Sequence, residues 1–329
     1  MIADPPFSPV IAPLIAFTVT FSLIWWLIKS NFLKILDHPN PRSLHTMPVP
    51  RTGGLGMVLG IFTSWAFLPV TLPVSVLFGV ALLALTSFAD DIFGLPVLGR
   101  LLVHGMVAVW FSVALLFETN SWMAVTTISL ATIWMINLYN FMDGSDGLAG
   151  GMTLIGFSCY GLTAWQAGNE SFAMINFCIA VTGAAFLLFN FHPARIFMGD
   201  AGAIPLGFLA AALGATGWAN GLWPLWLPVL AFSPFIVDAS ITLAKRALRG
   251  EKIWQAHREH YYQRIVRSGF SQRNTALLGY VLMFATSTSA VWALRQDTVA
   301  QLGVGMAWGV FYLIAMVFFE HYLERRPGD

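Results

Sequence analysis

The chain has 329 residues, of which 57% are hydrophobic and 10% are charged, whereas a soluble domain carries about 25% charged residues. This composition excludes an ordinary soluble globular protein, because so much apolar surface needs lipid as its solvent. The formal net charge of +1 gives no bulk bias toward nucleic acid as a partner. Both cysteines, Cys159 and Cys178, fall inside apolar segments, so neither a disulfide framework nor a zinc site is expected.

Apolar segments that approach the length of a bilayer crossing recur along the whole chain. One crossing needs about 20 apolar residues, and about eleven segments qualify. Their approximate bounds are 9–28, 53–70, 72–89, 101–117, 122–140, 147–166, 172–190, 202–218, 222–244, 275–294 and 300–319. The first segment is long enough to span and lacks a basic N-terminal flank, so we expect no cleavable signal. The sequence therefore predicts an all-α integral membrane protein, with a single polytopic domain over residues 1–329.

The basic residues are unevenly shared between the two sides of the membrane. With the N-terminus outside, sixteen of the seventeen Lys and Arg residues fall inside, and Arg295 alone falls outside. Cytoplasmic loops show this excess, so we predict a periplasmic N-terminus and a cytoplasmic C-terminus. The cytoplasmic loops are then approximately 29–52, 90–100, 141–147, 191–201 and 245–274.

Acidic residues and histidines converge on the same predicted cytoplasmic face, although they are far apart in sequence. They are Asp90, Asp91, Asp143, Asp146, Asp200, His257 and His260. Charged groups close to the hydrocarbon are costly and usually functional. We therefore predict that the active site lies on the cytoplasmic face.

The stretch "SFADDIFG" places Asp90 and Asp91 at the end of the third span. Adjacent residues point about 100° apart on a helix, so the two could share a cation without forming one bidentate clamp. A helix C-terminus disfavours carboxylates, and a bound Mg²⁺ would remove that penalty. A solvated helix end is an equally weighted alternative.

The stretch "NLYNFMDGSDGLAGG" carries Asp143 and Asp146 three residues apart. Asn137 and Asn140 continue the same step back into the fifth span, so a continuing helix would carry these groups on one face. The glycines let the backbone approach a ligand closely, and Mg²⁺ prefers carboxylate and phosphate oxygens. A polar contact between helices would explain the asparagines but not both aspartates.

The stretch "NFHPARIFMGDAGAIPLG" follows the seventh span, which Pro193 should end. Asp200 comes directly before the next span and is a candidate metal ligand. The backbone N–H groups at that helix start could meet a phosphate, His192 and Arg195 are candidate cations, and Phe197 could stack on a base.

The stretch "HREHYYQRIVR" reads as a helix with His257, His260, Tyr261 and Arg264 on one face. Two histidines three residues apart, without further Cys or His ligands, make a poor zinc site. Diphosphate binding is therefore favoured, and a basic loop that binds anionic lipid is the alternative.

Two further features are weaker. The proline-rich loop after the first span carries the cationic residues Arg42, His45 and Arg51, which suit a phosphate-bearing ligand or equally the positive-inside rule. Asp238 lies well inside the ninth span, where Lys245 or Thr242 could pair with it.

Taken in order, "ADDIFG", "NLYNFMDGSDGLAGG", "NFHPARIFMGDAG" and "HREH" resemble the polyprenyl-phosphate N-acetylhexosamine-1-phosphate transferase superfamily, glycosyltransferase family 4. The resemblance runs from about residue 37 to about residue 275. It looks closest to bacterial enzymes that start O-antigen or related cell-surface glycan synthesis, such as lipopolysaccharide biosynthesis, in the inner membrane. It implies a reaction of a UDP-N-acetylhexosamine with undecaprenyl phosphate, with Mg²⁺ or Mn²⁺, that releases UMP. Relatives are often dimers, so a homodimer is expected.

The resemblance also implies residue roles. Asp90 and Asp91 match the paired aspartates, of which one would deprotonate the lipid phosphate, and Asp200, with Asp91, would hold the metal. Substrate binding is implied for Asn140, Asp143, Asp146, Asn190, Phe197, His257 and His260. The cationic loops add Arg264, His45 and Arg51 as candidate ligands of phosphate.

Two departures from the family pattern matter. Gly94 stands where many relatives carry a third acid, so a DDxxD motif cannot be assigned. Relatives that use muramoyl-pentapeptide have a lysine in the first loop, and the stretch from Ser43 to Thr52 has none. A phospho-MurNAc-pentapeptide transferase is therefore the less favoured enzyme.

Two other classes compete with this interpretation. A secondary transporter would show inverted repeats and polar groups near the membrane midplane, and neither is evident. An intramembrane prenyltransferase would need two aspartate clusters of wider spacing than Asp143 and Asp146, and would leave the histidine loop unexplained.

Overall fold

The computed structural model of the chain describes residues 11–30, 35–39, 44, 47–70, 72–119, 121–252, 254–255 and 257–324. The described residues are mostly helical, as predicted. The helices are α1 (Ile11–Ser30), α2 (Gly53–Trp65), α3 (Val74–Phe93), α4 (Val97–Leu116), α5 (Trp122–Phe141), α6 (Leu148–Gln166), α7 (Glu170–Asn190), α8 (Asp200–Ala219), α9 (Trp226–Ala231), α10 (Ser233–Leu248), α11 (Tyr261–Arg267), α12 (Gln272–Ala293) and α13 (Thr298–Glu324). Two short strands, β1 (Leu36–Asp37) and β2 (Val49–Pro50), pair antiparallel in the first loop.

The protein is an all-α integral membrane protein, since eight helices in the described ranges are long and apolar enough to cross a bilayer. Every predicted span coincides with helix, but two differ from the prediction. The span expected over 53–70 contains only the helix Gly53–Trp65. The span expected over 222–244 is divided at Phe232, because Pro234 stands in the first turn of α10 and cannot continue the hydrogen bonding of α9. The count of eleven spans and the orientation stay predictions.

The core of the bundle lies around α8 and α7. α8 packs against α3 and α5, while α7 packs against α1 and α6. Close packing of α2 on α8 depends on Gly54, where an added Cβ would lie 2.3 Å from the Cα of Gly202. Small residues allow membrane helices to approach in this way, and the approach places the start of α8 beside the first loop.

Both cysteines are free and buried in the core, as expected. The outermost helix in the described part of the chain is α13, whose spanning window has no buried residues. α13 therefore faces lipid along most of its length.

Candidate active site

The paired aspartates end α3 and take different partners, as their angular separation predicts. Asp90 Oδ2 lies 2.6 Å from Arg100 Nη1, and Asp90 Oδ1 accepts a hydrogen bond of 2.6 Å from the Leu95 N–H. Asp91 Oδ1 lies 3.4 Å from Arg51 Nη1, and its backbone carbonyl accepts a 3.0 Å hydrogen bond from Arg51 Nη2. Arginines from two other segments therefore offset the unfavourable position of these carboxylates at a helix C-terminus.

Gly94 ends α3 in the left-handed conformation, with φ +67°. Its N–H donates to the carbonyl of Asp90 at 2.8 Å, which is the usual closure of a helix C-terminus by glycine. A side chain at this position would be strained. The glycine that replaces the third acid of the family pattern thus has a backbone role here.

The loop before α8 carries Asp200 into the site by pairing with the start of α2. The Phe197 N–H donates to the Pro50 carbonyl at 2.7 Å, and the Gly53 N–H donates to the Phe197 carbonyl at 2.9 Å. Asp200 is the first residue of α8, and its Oδ2 lies 3.5 Å from Arg100 Nη1. Arg100 therefore lies between Asp90 and Asp200, which are far apart in sequence.

The carboxylates of Asp91, Asp143 and Asp200 gather at one end of the bundle. Asp91 lies beside Gly199, where an added Cβ would be 3.4 Å from Asp91 Oδ2, and it interacts electrostatically with Asp200. Asp143 is close enough to feel the charges of Asp200 and Asp91. Burial raises the pKa of Asp143 well above its ordinary value, and the nearby negative charge of Asp200 raises it further. The three acids are therefore close enough to interact with one another, and the common cavity that they are expected to face stays a prediction.

The donor set fits a hard divalent cation, although it does not form a closed cage. Among the described residues, no three His, Cys, Asp or Glu side chains stand close enough for a complete metal site. Mg²⁺ does not need one, because it usually takes one or two protein carboxylates together with phosphate oxygens and water. Asp91, Asp143 and Asp200 repel one another, and a bound cation would relieve that repulsion.

The segment between α5 and α6 differs from the predicted continuous helix. α5 ends at Phe141, so Asn137 and Asn140 share its last turns while Asp143 lies beyond them. Asn140 still reaches the site, since its side chain is close enough to Asp200 to interact with it. Asn137 instead donates to the carbonyl of Ile133 at 2.7 Å within its own helix.

Asp146 and Asn190 are buried and build the loop that leads from α7 to Asp200. Asp146 Oδ2 lies 2.7 Å from His192 Nδ1 and accepts a 3.1 Å hydrogen bond from the Ala194 N–H. Asn190 accepts from the Gly147 N–H at 2.9 Å and donates to the Ile196 carbonyl at 2.9 Å. These side chains shape the pocket wall through the protein's own hydrogen bonds.

The histidine segment is not the continuous helix that its spacing predicts. α11 contains only Tyr261–Arg267, and His260 is the residue that precedes it. The reason is Asp238 on α10, which accepts hydrogen bonds from the N–H groups of Tyr261 at 2.9 Å and Tyr262 at 3.0 Å. The first N–H groups of a helix have no partner within the helix, and a carboxylate that accepts from them stabilises a helix start at Tyr261. Of the two partners considered for Asp238, Thr242 is confirmed at 3.3 Å.

The two histidines nevertheless lie together beside the end of α5. Their ring centroids are 4.8 Å apart, and His260 stacks between Phe141 and Tyr262 at 6.0 and 5.9 Å. Burial lowers the pKa of His257 to about 4, and the neighbouring His260 contributes. His257 is therefore neutral at pH 7 before a ligand binds.

Arg264 lies elsewhere than predicted. Its Nη1 and Nη2 bind the two carboxylate oxygens of Glu320 on α13 at 2.7 and 2.6 Å. Its guanidinium also lies over the rings of Tyr261 and Phe319. The expectation that it shares a ligand-facing helix surface with the histidines is wrong, because α11 begins too late for that register.

Other predicted residues divide as follows. Arg51 is in the site, at Asp91, and Phe197 lies partly exposed next to the first turn of α2. His45 falls outside the described residues. Sequence reasoning did not single out Arg100, whose only signal is its position ten residues after Asp90, on the same predicted loop.

The segments that carry these carboxylates lie within a region that is similar to known proteins. Residues 73–217 match the family model described as glycosyl transferase family 4. The chain is similar to a probable undecaprenyl-phosphate N-acetylglucosaminyl 1-phosphate transferase of Bacillus subtilis (strain 168), with 28% identity covering 97% of this chain and 92% of the relative.

Two other relatives carry related names. One is a decaprenyl-phosphate N-acetylglucosaminephosphotransferase of Mycobacterium tuberculosis (strain ATCC 25618 / H37Rv), at 28% identity over 87% of this chain and 83% of the relative. The other is an undecaprenyl-phosphate alpha-N-acetylglucosaminyl 1-phosphate transferase of Escherichia coli (strain K12), at 25% identity over 74% of this chain and 72% of the relative.

Proposed function

Because this chain belongs to the glycosyl transferase family 4 superfamily of polyprenyl-phosphate N-acetylhexosamine-1-phosphate transferases, we propose that it transfers an N-acetylhexosamine 1-phosphate from a UDP-sugar to undecaprenyl phosphate. A phosphate oxygen of the lipid attacks the sugar-linked phosphorus. The bond from that phosphorus to the oxygen bridging to the uridylyl group breaks, and UMP leaves. The protein is a multi-pass protein of the bacterial inner membrane, which matches a lipid acceptor.

One observation carries this proposal: Asp90, Asp91, Asp143 and Asp200 meet at one end of a membrane bundle, interleaved with Arg51 and Arg100. Such a mixture of carboxylates and guanidinium groups suits a diphosphate and its divalent cation. A transporter or a prenyltransferase would not require the neighbouring histidine segment. The missing lysine between Ser43 and Thr52 keeps the muramoyl-pentapeptide enzyme as the less favoured alternative.

We assign Asp200 and Asp91 as the residues that hold Mg²⁺ or Mn²⁺. When bound, the ion would neutralise charge on the diphosphate oxygens. Asp90, which is held by Arg100 and the Leu95 N–H, positions Arg100 toward Asp200. A lipid phosphate has a second pKa of about 6 and is largely ionised at neutral pH, so its orientation matters more than a strong base.

The nucleotide side of the pocket is formed by the loop that Asp146 and Asn190 hold in place. Phe197, partly exposed on that loop, provides an aromatic face for the uracil. His257 and His260 lie next to the end of α5 and would meet the diphosphate, whose negative charge favours the protonated imidazole. The names of the relatives favour N-acetylglucosamine as the sugar. As the role we propose the first membrane step of O-antigen or another cell-surface glycan.

The test is UMP release by the purified full-length protein, given undecaprenyl phosphate, Mg²⁺ and a panel of UDP-N-acetyl sugars. We expect activity with at least one sugar and its loss by about 100-fold or more in Asp200→Asn, on the scale of an electrostatic catalytic group. Asp297→Asn is the matched control: it is an exposed aspartate that caps α13, and asparagine caps equally well.

Two outcomes would count against the proposal. Asp200→Asn with the activity of the parent protein would remove the metal assignment, and no product from any UDP-sugar would remove the reaction. Light scattering of the same preparation tests the expected homodimer.

A further inference from the structure

The last helix makes an unusually dense polar contact with the segment that carries the histidines. Glu320, near the end of α13, receives donors on both carboxylate oxygens. Oε1 lies 2.6 Å from Lys245 Nζ, 2.9 Å from the Tyr261 hydroxyl and 2.7 Å from Arg264 Nη1, and Oε2 lies 2.6 Å from Arg264 Nη2. One side chain thus joins α13 to α10 and α11.

The contact between Glu320 and its partners is strong, because its hydrogen bonds are charge-assisted and it is partly shielded from solvent. The Glu320 side chain is 32% exposed and that of Arg264 is 24% exposed. Bidentate pairs of arginine with carboxylate are among the strongest side-chain hydrogen bonds. The Tyr261 ring, which lies between Lys245 and Arg264 at 5.2 and 5.3 Å from their charged groups, completes the cluster.

α11 needs such external support. It has seven residues, and a helix this short does not hold itself in water. Asp238 fixes its first N–H groups from α10, while Glu320 fixes its side through Tyr261 and Arg264. These contacts come from two different helices, α10 and α13, and together set where α11 begins.

The start of α11 determines where the histidines lie. His260 immediately precedes the helix and stacks between Phe141 and Tyr262. The Tyr262 hydroxyl donates to the Phe141 carbonyl at 3.0 Å, two residues before Asp143. A shift of α11 would therefore move His260, and His257 with it, relative to the carboxylates.

α13 has little other means of holding this position. An apolar cavity of about 570 Å³ separates it from α10 and α12, with Phe235, Leu282 and Phe311 among its walls. Beside the cavity, α13 is held by the hydrogen bond between Ser233 and Tyr312, a lining residue, at 2.8 Å. The Glu320 cluster therefore carries the attachment of the last turns of α13.

We propose that Glu320 is a positioning residue for the transferase: it holds α11 so that His257 and His260 meet the diphosphate of the nucleotide sugar. This inference rests on the proposed function, and it makes α13, which lies outside the matched family segment, a working part of the enzyme. Glu320 acts through Tyr261 and Arg264 and does not touch the substrate.

The test compares Glu320→Gln, which keeps the shape and removes the charge, with Tyr312→Phe, which removes a different hydrogen bond of the same helix. We expect Glu320→Gln to raise the KM for the UDP-sugar about tenfold, as for loss of one charge-assisted hydrogen bond, with kcat and the KM for the lipid little changed. Tyr312→Phe should leave all three near their original values.

A second measurement shows whether the effect passes through the histidines. In a His257→Ala background, Glu320→Gln should add little to the rise in KM, because residues that act as a unit are not additive. If the KM increases of the two single variants multiply in the double variant, the two residues act independently. That result would indicate a general loss of structure and would overturn the proposal.

Hydrogen exchange provides a readout that does not depend on the reaction. The N–H groups of Tyr261 and Tyr262, which donate to Asp238, should exchange about tenfold faster in Glu320→Gln. Unchanged exchange would refute the positioning role. Faster exchange with an unchanged KM would show that the position of α11 does not affect substrate binding, and would also refute the positioning role. A parent protein that is inactive on every UDP-sugar would refute the proposed function alone.

Discussion

Gly54 on α2 and Gly202 on α8 lie in backbone contact, so close that a Cβ on Gly54 would be 2.3 Å from the Gly202 Cα. This contact sets the distance between the first loop, which carries Arg51, and the start of α8, which carries Asp200. The geometry of the site therefore depends on two residues that have no side chain.

Gly54→Ala should separate α2 from α8. Overpacking of a close contact costs about 1–3 kcal/mol, and the new Cβ would also meet the Met198 carbonyl at 2.7 Å. We expect a lower melting temperature and loss of most UMP release. Gly105→Ala is the control, because it lies within α4 and its Cβ would meet nothing within 4 Å; alanine should leave the protein equally or slightly more stable. Equal behaviour of the two variants would contradict the packing argument.

Asp146→Ala should disturb the loop before Asp200. The substitution leaves the Ala194 N–H without its acceptor and His192 without its partner, which costs about 1–3 kcal/mol of stability for a buried group. We expect UMP release to fall about tenfold or more for the same reason. Arg195→Gln, in the same loop, removes an exposed hydrogen bond to the Leu188 carbonyl and a cation-π contact with the Phe189 ring, and it leaves the contacts of Asp146 in place. Arg195→Gln should retain activity. A comparable loss of UMP release in both variants would show that the loop is sensitive to any substitution, and would contradict a specific role of Asp146.

Arg246 and Arg249 form a matched pair, since both bind Glu259 and Glu251. The Arg246 side chain is 8% exposed and that of Arg249 is 51% exposed. Arg246→Gln removes the buried cation and its ion pairs with Glu251 and Glu259, so it should loosen the segment before His257 and lower activity about tenfold, on the scale of a lost charge-assisted hydrogen bond. Arg249→Gln should stay within about twofold of the parent. Kinetic assays of both variants decide this, and the reverse order would refute it.

The stability of the ligand-free protein should fall in mild acid because of His257. Burial and His260 lower its folded-state pKa from 6.5 to about 4, so between these values the unfolded chain binds more protons. Stability is thus complete above pH 6.5 and is lost as the pH falls toward 4. Thermal unfolding at a series of pH values measures the slope, and His257→Asn should flatten it. His38→Gln, at an exposed histidine, is the control, and an unchanged slope in His257→Asn would contradict the assignment.

The membrane architecture was predictable from the sequence because its signal is local. Long apolar segments specify helices in lipid wherever they occur, and the predicted spans coincide with helices over the described chain. Their ends were less predictable. Asp143 falls outside α5, and α9 and α10 are separate, because helix ends depend on single prolines and capping partners.

The motifs predicted that Asp90, Asp91, Asp143 and Asp200 lie together, and the structure brings them together. The contacts of the surrounding residues were not predictable. Asp146 and Asn190 look like ligands in sequence, but they hold a loop. Arg264 appears beside the histidines in helical register, yet it binds Glu320, which is 56 residues away.

The sequence by itself determined that this is a bundle of helices in lipid, with acids and histidines at one face. Hydropathy, charge bias and motif order depend only on the order of residues along the chain. Only the tertiary structure decided which carboxylate meets which cation: Arg100 between Asp90 and Asp200, Asp238 at the start of α11, Glu320 on Arg264. Such pairs join residues from different helices, and whether they meet depends on packing distances and helix ends that no local pattern records.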